Sequence, residues 1–126
     1  MNRPESPSPA GTAGFDPLVL AHRVRSLRND TSPAVLEASH ALYTPFHESE
    51  PYRAVQVVRD LAYGADDRNR LDLFKPDPLC GNAPVLLFVH GGGFIGGGKK
   101  RPGTPYQDNV ALWAVRHGMI GAAYVR

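Results

Sequence analysis

The sequence predicts an α/β domain built around a parallel strand–helix–strand unit in its second half. The unbroken apolar run Val85–Val89 is typical of a strand that is buried on both faces of a sheet. A glycine-rich loop follows it, then a segment with helix start and end signals, and then a second apolar strand over residues 119–125. Strand, helix and strand within about 40 residues indicate a parallel βαβ unit with a right-handed crossover.

Size and composition are those of one ordinary domain. The chain has 126 residues, of which 42% are hydrophobic and 21% are charged, with a formal net charge of +2. The basic residues are scattered, so no nucleic-acid surface is expected. Cys80 is the single cysteine, which excludes an intrachain disulfide and favours a reducing, cytoplasmic compartment. No apolar run approaches the length of a membrane span, and no secretory signal is apparent.

The first part of the chain is predicted to hold a disordered tail and two short amphipathic helices. Proline, serine and glycine dominate the tail, which favours disorder. Each helix starts with an N-capping residue followed by proline. The two helices are residues 17–28, after Asp16-Pro17, and residues 33–43, after Ser32-Pro33. The predicted organisation is a tail over 1–14, a helical segment over 15–50 and an α/β region over 51–126.

The α/β region opens with a predicted hairpin. Residues 55–61 give an imperfect strand pattern, and turn-forming residues fill positions 64–69. Residues 71–75 then alternate as a second strand, which Pro76 closes.

The helix between the two parallel strands also has predicted limits. Thr104 and Gln107 match a capping box, and Pro105 suits the first helical position. Gly118 fits the position just after the last turn. One face of this helix is predicted to carry Tyr106, Val110 and Trp113, with Ala111 and Ala114 beside them.

The glycine loop matches two nucleotide-binding patterns incompletely. The stretch from Gly91 to Gly96 satisfies G-x-G-x-x-G, but a dinucleotide site needs a helix that begins at the glycines. The stretch from Gly93 to Lys99 matches G-x-x-x-x-G-K, but Lys100 stands where a P-loop needs serine or threonine. A nucleotide- or phosphate-binding module that uses the loop from Gly91 to Lys99 is an alternative hypothesis.

A third interpretation accounts for more of the sequence. His90-Gly91-Gly92-Gly93-Phe94 resembles the HGGG oxyanion loop of α/β-hydrolase esterases and lipases. The resemblance covers residues 57–126 and is to the hormone-sensitive-lipase-like carboxylesterases. Two phrases carry it: LDLFKP, which starts at Leu71, and the run PVLLFVHGGGFIG, which extends from Pro84 to Gly96.

The resemblance implies an incomplete α/β-hydrolase fold. It implies the first four sheet strands in the order 1-2-4-3, one crossover helix, and two cap-like helices before them. It also implies that the main-chain amides of Gly92 and Gly93 form the oxyanion hole. His90 would anchor the loop beside Gly91, and Phe94 would wall the pocket. The expected partner is a small-molecule ester, with an arylformamide as a near relative, and no cofactor or metal is expected.

The remaining catalytic groups of such an enzyme are missing from these residues. The serines are residues 6, 8, 26, 32, 39 and 49, and none lies between glycines. All of them precede the glycine loop, whereas the nucleophile of the family follows it in a Gly-x-Ser-x-Gly motif. We therefore expect an N-terminal fragment of a serine carboxylic-ester hydrolase that lacks the nucleophile, acid and histidine and is inactive by itself.

Other interpretations of these features stay open. The strand Val85–Val89 would form a raw sheet edge, which predicts self-association and allows a non-catalytic interaction protein that pairs through this edge. A glycine run after a strand is also compatible with a plain flexible connection. The other histidines, for which a helix-surface, helix-end or loop position is predicted, are His22, His40, His47 and His117.

Overall fold

The computed structural model describes residues 16–79, 81–92 and 97–125, which belong to two compact units. The first unit extends to Glu48 and the second begins at Ser49. The predicted tail, residues 1–14, lies outside the described residues. The first unit contains α1 (Pro17–Ser26), α2 (Pro33–Tyr43) and a 3₁₀ turn (Thr44–Phe46).

Both predicted helices of the first unit are present. The Asp16 side chain accepts a hydrogen bond from the Leu18 amide at 2.8 Å, which confirms the predicted cap of α1. Ser32 precedes α2 as predicted, but its side chain makes no capping hydrogen bond. α1 ends two residues earlier than predicted, because Leu27 leaves the helical conformation. Neither helix contains a buried residue.

The second unit is a four-stranded mixed sheet with one helix. Its elements are β1 (Val55–Ala62), β2 (Arg70–Pro76), β3 (Val85–Val89), α3 (Asp108–Arg116) and β4 (Ile120–Val125). The spatial order is β1-β2-β4-β3, with β3 parallel to β4 and the other two pairs antiparallel. The hairpin and the parallel strand–helix–strand unit are confirmed. The order is also the one that the resemblance implies for four leading strands, so the sheet is compatible with a partial α/β fold.

The core lies between α3 and one face of the sheet. Phe74 is fully buried against Ala111, Leu112 and Val115 of α3, and Tyr52 completes the cluster. Gly121 of β4 allows this contact, because a Cβ there would lie 2.5 Å from the Ala111 carbonyl oxygen. The core therefore depends on a helix backbone that rests directly on the sheet.

The prediction that β3 is buried on both faces is wrong. Val85, Leu87 and Val89 are 61%, 56% and 59% exposed. The register places these side chains on the face away from α3, because Leu86 pairs with Gly121 and Gly121 faces the helix. β3 is also an edge strand, so one of its two backbone edges has no neighbouring strand among the described residues.

The predicted start of α3 is wrong, and of the residues predicted on or beside one face only Ala111 and Ala114 are buried. α3 begins at Asp108, and the Gln107 side-chain oxygen is buried without a hydrogen-bond partner among the described residues. A capping box would pair that oxygen with the Thr104 amide, which instead donates to Arg101 at 3.2 Å. Trp113 is 53% exposed. The buried residues of α3 are Asp108, Ala111, Leu112, Ala114 and Val115.

The end of α3 agrees with the prediction. Gly118 follows the last turn with φ 74°, a left-handed conformation that glycine adopts without a Cβ penalty. The Gly118 amide donates to the Val115 carbonyl at 3.0 Å and so helps to close the helix. No helix in the described ranges is both long and apolar enough to cross a bilayer.

Candidate functional site

The glycine loop leaves the carboxyl end of β3, beside the carboxyl end of the parallel strand β4. Ligands of open α/β sheets bind at this end of the strands, because loops there can present their backbone groups. Gly92 has φ 137°, which L side chains rarely adopt, so the sequence needs glycine at this position. Gly93 and Phe94, the other predicted site residues of the loop, lie outside the described residues.

His90 and Gly91 close the amino-terminal part of the loop. The His90 Nδ1 lies 2.7 Å from the Gly91 carbonyl oxygen. Because a carbonyl oxygen only accepts, the contact places the proton on Nδ1. The imidazole thus bonds to the loop backbone, and the anchoring role of His90 stays a prediction.

Gly97 brings the far end of the loop back onto its start. A Cβ at Gly97 would lie 2.2 Å from the Gly91 carbonyl oxygen and 2.6 Å from His90 Nδ1. The φ of Gly97 is 99°, so both the space and the backbone angle require glycine. A plain flexible connection needs no such contact, and the structure therefore disfavours that interpretation.

Sequence reasoning missed a cluster of buried charges next to this loop. Asp72 of β2 and Asp108 of α3 are both 0% exposed, and burying an unpaired carboxylate is costly. Their partners are cations from β1 and from the segment after the glycine loop. We define the ion cluster as Asp72, Asp108, Arg59 and Lys99.

Asp72 is bound on both carboxylate oxygens. Its Oδ2 accepts from Arg59 Nη1 at 2.8 Å, and its Oδ1 accepts from Lys99 Nζ at 2.5 Å and from the Asp60 amide at 2.9 Å. A β-bulge between Val58 and Leu61 makes this possible, because Asp60 there adopts φ 58° and turns its amide toward Asp72. The bulge therefore shapes the carboxylate's surroundings.

Asp108 is bound by a second set of donors. Its Oδ2 accepts from the Tyr52 hydroxyl and from Arg59 Nη2, both at 2.7 Å, while its Oδ1 accepts from Arg59 Nη1 at 2.9 Å. Lys100 Nζ lies 3.6 Å from Oδ2. The Arg59 guanidinium stands 5.0 Å from the ring centroid of Phe74 and bridges the two buried carboxylates. Arg59 thus joins β1, β2 and α3.

The pKa values of Asp72, Arg59 and Lys99 shift toward the charged forms. Burial by itself would raise the pKa of Asp72, but hydrogen bonds from Lys99, the Asp60 amide and Arg59 hold that pKa below its ordinary value. Burial by itself would lower the pKa of Lys99, but the bonds to Asp60 and Asp72 outweigh burial and raise that pKa above its ordinary value. Burial and the bond to Asp108 raise the pKa of Tyr52. At neutral pH Asp72, Arg59 and Lys99 are therefore charged.

Lys99 is committed to this cluster, which disfavours the nucleotide-binding alternative. A P-loop lysine must reach phosphate, yet Lys99 Nζ bonds to Asp72 and lies 2.8 Å from Asp60 Oδ1. The helix that follows starts at Asp108, and this buried carboxylate at its first turn would repel an anion. No set of three or more histidine, cysteine, aspartate or glutamate side chains in the described residues is arranged to hold a metal ion.

The other histidines lie on or next to the helices. His22 lies exposed on α1 and His40 lies on α2, as predicted. His117 caps the end of α3, where its ring stacks on Trp113 with centroids 4.2 Å apart. The predicted position of His117 at the helix end is therefore confirmed.

Comparison with known proteins found relatives of part of the chain. Over 44 residues, which are 35% of its length, the chain is 50% identical to a protein of Oryza sativa subsp. japonica named probable isoprenylcysteine alpha-carbonyl methylesterase ICMEL1. The identity and share are the same for the probable isoprenylcysteine alpha-carbonyl methylesterase ICMEL2 and the isoprenylcysteine alpha-carbonyl methylesterase ICME, both of Arabidopsis thaliana. The chain is related to esterases.

The extent of that relationship is limited. The matched stretch spans 10% of the length of each of these three methylesterases. No protein-family model matches the chain. The comparison thus supports a hydrolase relationship of the esterase type for about a third of the sequence.

Proposed function

We propose that this chain carries the oxyanion loop of a serine carboxylic-ester hydrolase with the α/β-hydrolase fold. The observation that supports this most directly is Gly92, which has φ 137° in a closed loop at the carboxyl end of β3. Only glycine adopts this conformation readily, and because glycine has no Cβ, a substrate oxygen can approach its amide unobstructed. The related methylesterases agree with this chemistry.

In the proposed reaction the amides of Gly92 and Gly93 stabilise an oxyanion. A serine hydroxyl passes its proton to a base, its oxygen attacks the ester carbonyl carbon, and the carbonyl π electrons move onto the carbonyl oxygen; the base later gives this proton to the leaving alcohol. The two N–H groups donate to that oxygen as its charge develops. The carbonyl then re-forms, the alcohol leaves with a proton, and water releases the acid by the same steps. One such donor is worth about 3–4 kcal/mol of transition-state stabilisation.

The other catalytic groups are proposed to come from outside these 126 residues. Within them, the hydroxyls of Ser26 and Ser39 donate to the carbonyls of Arg23 and Val35 in their own helices. We further propose that residues 15–50 form a cap-like segment. Phe94 is proposed to wall the pocket. The proposed substrate is a small-molecule carboxylic ester.

A grafted enzyme tests the oxyanion role. The second unit, from Ser49 onward, replaces the corresponding part of the Oryza sativa methylesterase, and hydrolysis of p-nitrophenyl acetate is measured. We expect Gly92→Ala to lower kcat about 10²–10³-fold, because alanine at φ 137° forces the amide away from the oxyanion. Sequencing the DNA provides a second test: we expect the same gene to encode a Gly-x-Ser-x-Gly motif beyond codon 126.

Gly98→Ala in the same loop is the matched control. A Cβ at Gly98 would meet only the Lys100 carbonyl oxygen, at an ordinary 3.7 Å, so this variant should keep its activity. A folded graft that hydrolyses no ester, or whose kcat is indifferent to Gly92→Ala, contradicts the proposal.

A second candidate function is strand pairing through the edge of β3. The exposed Val85, Leu87 and Val89 support it, since an apolar edge strand is a template for another strand. We expect the 126-residue chain to self-associate in analytical ultracentrifugation and Leu87→Lys to shift it toward the monomer. Trp113→Lys is the control, because Trp113 is similarly exposed, at 53%, but lies on α3. A chain that is monomeric at every concentration removes this candidate.

A further inference from the structure

The far end of the glycine loop is attached to the sheet through a buried ion pair. Lys99 lies two residues after Gly97, and its side chain is only 14% exposed. Its ammonium donates to Asp72 Oδ1 at 2.5 Å and lies 2.8 Å from Asp60 Oδ1. Ordering a long lysine side chain costs conformational entropy, which these two contacts must offset. Because the contacts fix Lys99 on the sheet, they also restrain the loop that precedes it.

Both ends of the loop are connected to residues that pair with the same residue of β4. Ala123 of β4 pairs with Phe88 on one side and with Asp72 on the other. Phe88 lies two residues before His90, where the loop begins, and Asp72 holds Lys99, where it ends. The distance between the two ends of the loop is thus set by the pairing of Ala123 with Phe88 and with Asp72, and not by the loop itself.

We propose that Lys99 is a positioning residue for the Gly92 amide. With the start of the loop fixed by β3 and its end fixed by the pair of Lys99 with Asp72, Gly97 is pressed onto His90 and Gly91. This closure leaves Gly92 in one conformation, which an oxyanion donor must have before the reaction begins. The catalytic meaning of this restraint rests on the proposed function, whereas the restraint itself does not.

The restraint is tested on the 126-residue chain, without any enzyme assay. Glycines are labelled with ¹⁵N, and NMR order parameters are measured. In the native chain Gly92 and Gly97 should have values of about 0.85. In Lys99→Met we expect both to fall below about 0.6, while Gly118 and Gly121 stay unchanged. Lys99→Arg should restore them, because its guanidinium can reach Asp72.

Lys100→Met is the matched control. Lys100 is the next residue and also a cation, but it donates to Glu50 at 2.9 Å instead of Asp72. Its loss should leave Gly92 and Gly97 ordered. Folding of each variant is checked by circular dichroism, and Lys99→Gln, which keeps a donor for Asp72, serves if Lys99→Met does not fold.

Two results overturn the inference. The first is a folded Lys99→Met in which Gly92 and Gly97 keep their order. The second is that Lys99→Met and Lys99→Gln both unfold the sheet, which would make the pair a requirement of the fold rather than of the loop.

The grafted esterase separates this inference from the proposed function. There Lys99→Met should lower kcat about tenfold to a hundredfold with KM nearly unchanged, because a misplaced donor affects the transition state. Loss of loop order without any loss of kcat would count against the proposed function alone. Unchanged loop order together with a Gly92→Ala defect would count against the role of Lys99 alone.

Discussion

Replacing Asp72 by alanine is expected to lower the free energy of unfolding of the second unit by about 3–5 kcal/mol, because two cations then lose a buried partner. Asp72 is 0% exposed, and both Arg59 and Lys99 donate to it. The measurement is urea denaturation followed by circular dichroism, with the midpoint compared at constant slope.

The control for this variant is Asp60→Asn. Asp60 pairs with the same Lys99, but its side chain is 69% exposed, so its loss should cost less than about 1 kcal/mol. Asparagine also tolerates the φ of 58° at this position. Equal losses from the two variants would mean that burial does not decide the strength of these ion pairs.

The effect of Asp72→Ala should also depend on pH. The pKa of Asp72 is held below its ordinary 3.8, so its contribution to stability is present above that value and is lost as the pH falls through the lower, folded-state pKa. The difference between the native chain and Asp72→Ala should therefore shrink at pH values below about 4. A difference that stays constant down to pH 2 would contradict a charged Asp72.

Replacing Gly121 by valine is expected to cost about 3 kcal/mol or more, because it drives the helix away from the sheet. A Cβ at Gly121 would lie 2.5 Å from the carbonyl oxygen and 2.6 Å from the Cα of Ala111. These are backbone atoms of α3 and cannot rotate aside, so the fully buried Phe74 would lose part of its contact with the helix. Urea denaturation again measures the loss.

Gly118→Ala provides the comparison for Gly121→Val. Nothing lies within 4 Å of a Cβ at Gly118, so only its φ of 74° is strained by the change, at about 1–2 kcal/mol. If Gly121→Val costs no more than Gly118→Ala, the close approach of α3 to β4 is not a source of stability.

The elements of this fold are readable from local patterns. Apolar runs, turn residues and the capped proline at Asp16-Pro17 located each strand and the first two helices within a few residues. The glycine at position 118 marked the end of α3. These features depend on residues close in sequence, which is why sequence reasoning found them.

The two failures at β3 and α3 have a common cause. The apolar content of β3 suggested burial on both faces, but exposure depends on which neighbours the sheet provides. The apparent capping box at Thr104 and Gln107 was overridden, because Asp108 is held by Tyr52 and Arg59, and the helix starts there. In both places tertiary partners outweighed the local signal.

The ion cluster was hidden from the sequence for a geometric reason. In β2 the alternation puts Asp72 and Phe74 on one face and Leu71 and Leu73 on the other, but it does not reveal that the face with Asp72 is the one that α3 buries. Arg59 binds both carboxylates from β1, and the two pairs are 13 and 49 residues apart in sequence. Two features of the sequence could have indicated the ion cluster: Asp72 lies inside an apolar strand, and Lys99 and Lys100 follow the glycines.

The sequence alone determined the elements of the second unit and the need for glycine after β3, because both follow from local backbone and side-chain chemistry. Only the tertiary structure decided that Gly97 closes onto His90 and that Lys99 pairs with the buried Asp72. Those contacts join segments that become neighbours through the pairing of β2 and β3 with β4, and a buried charge is stable only where its partners converge.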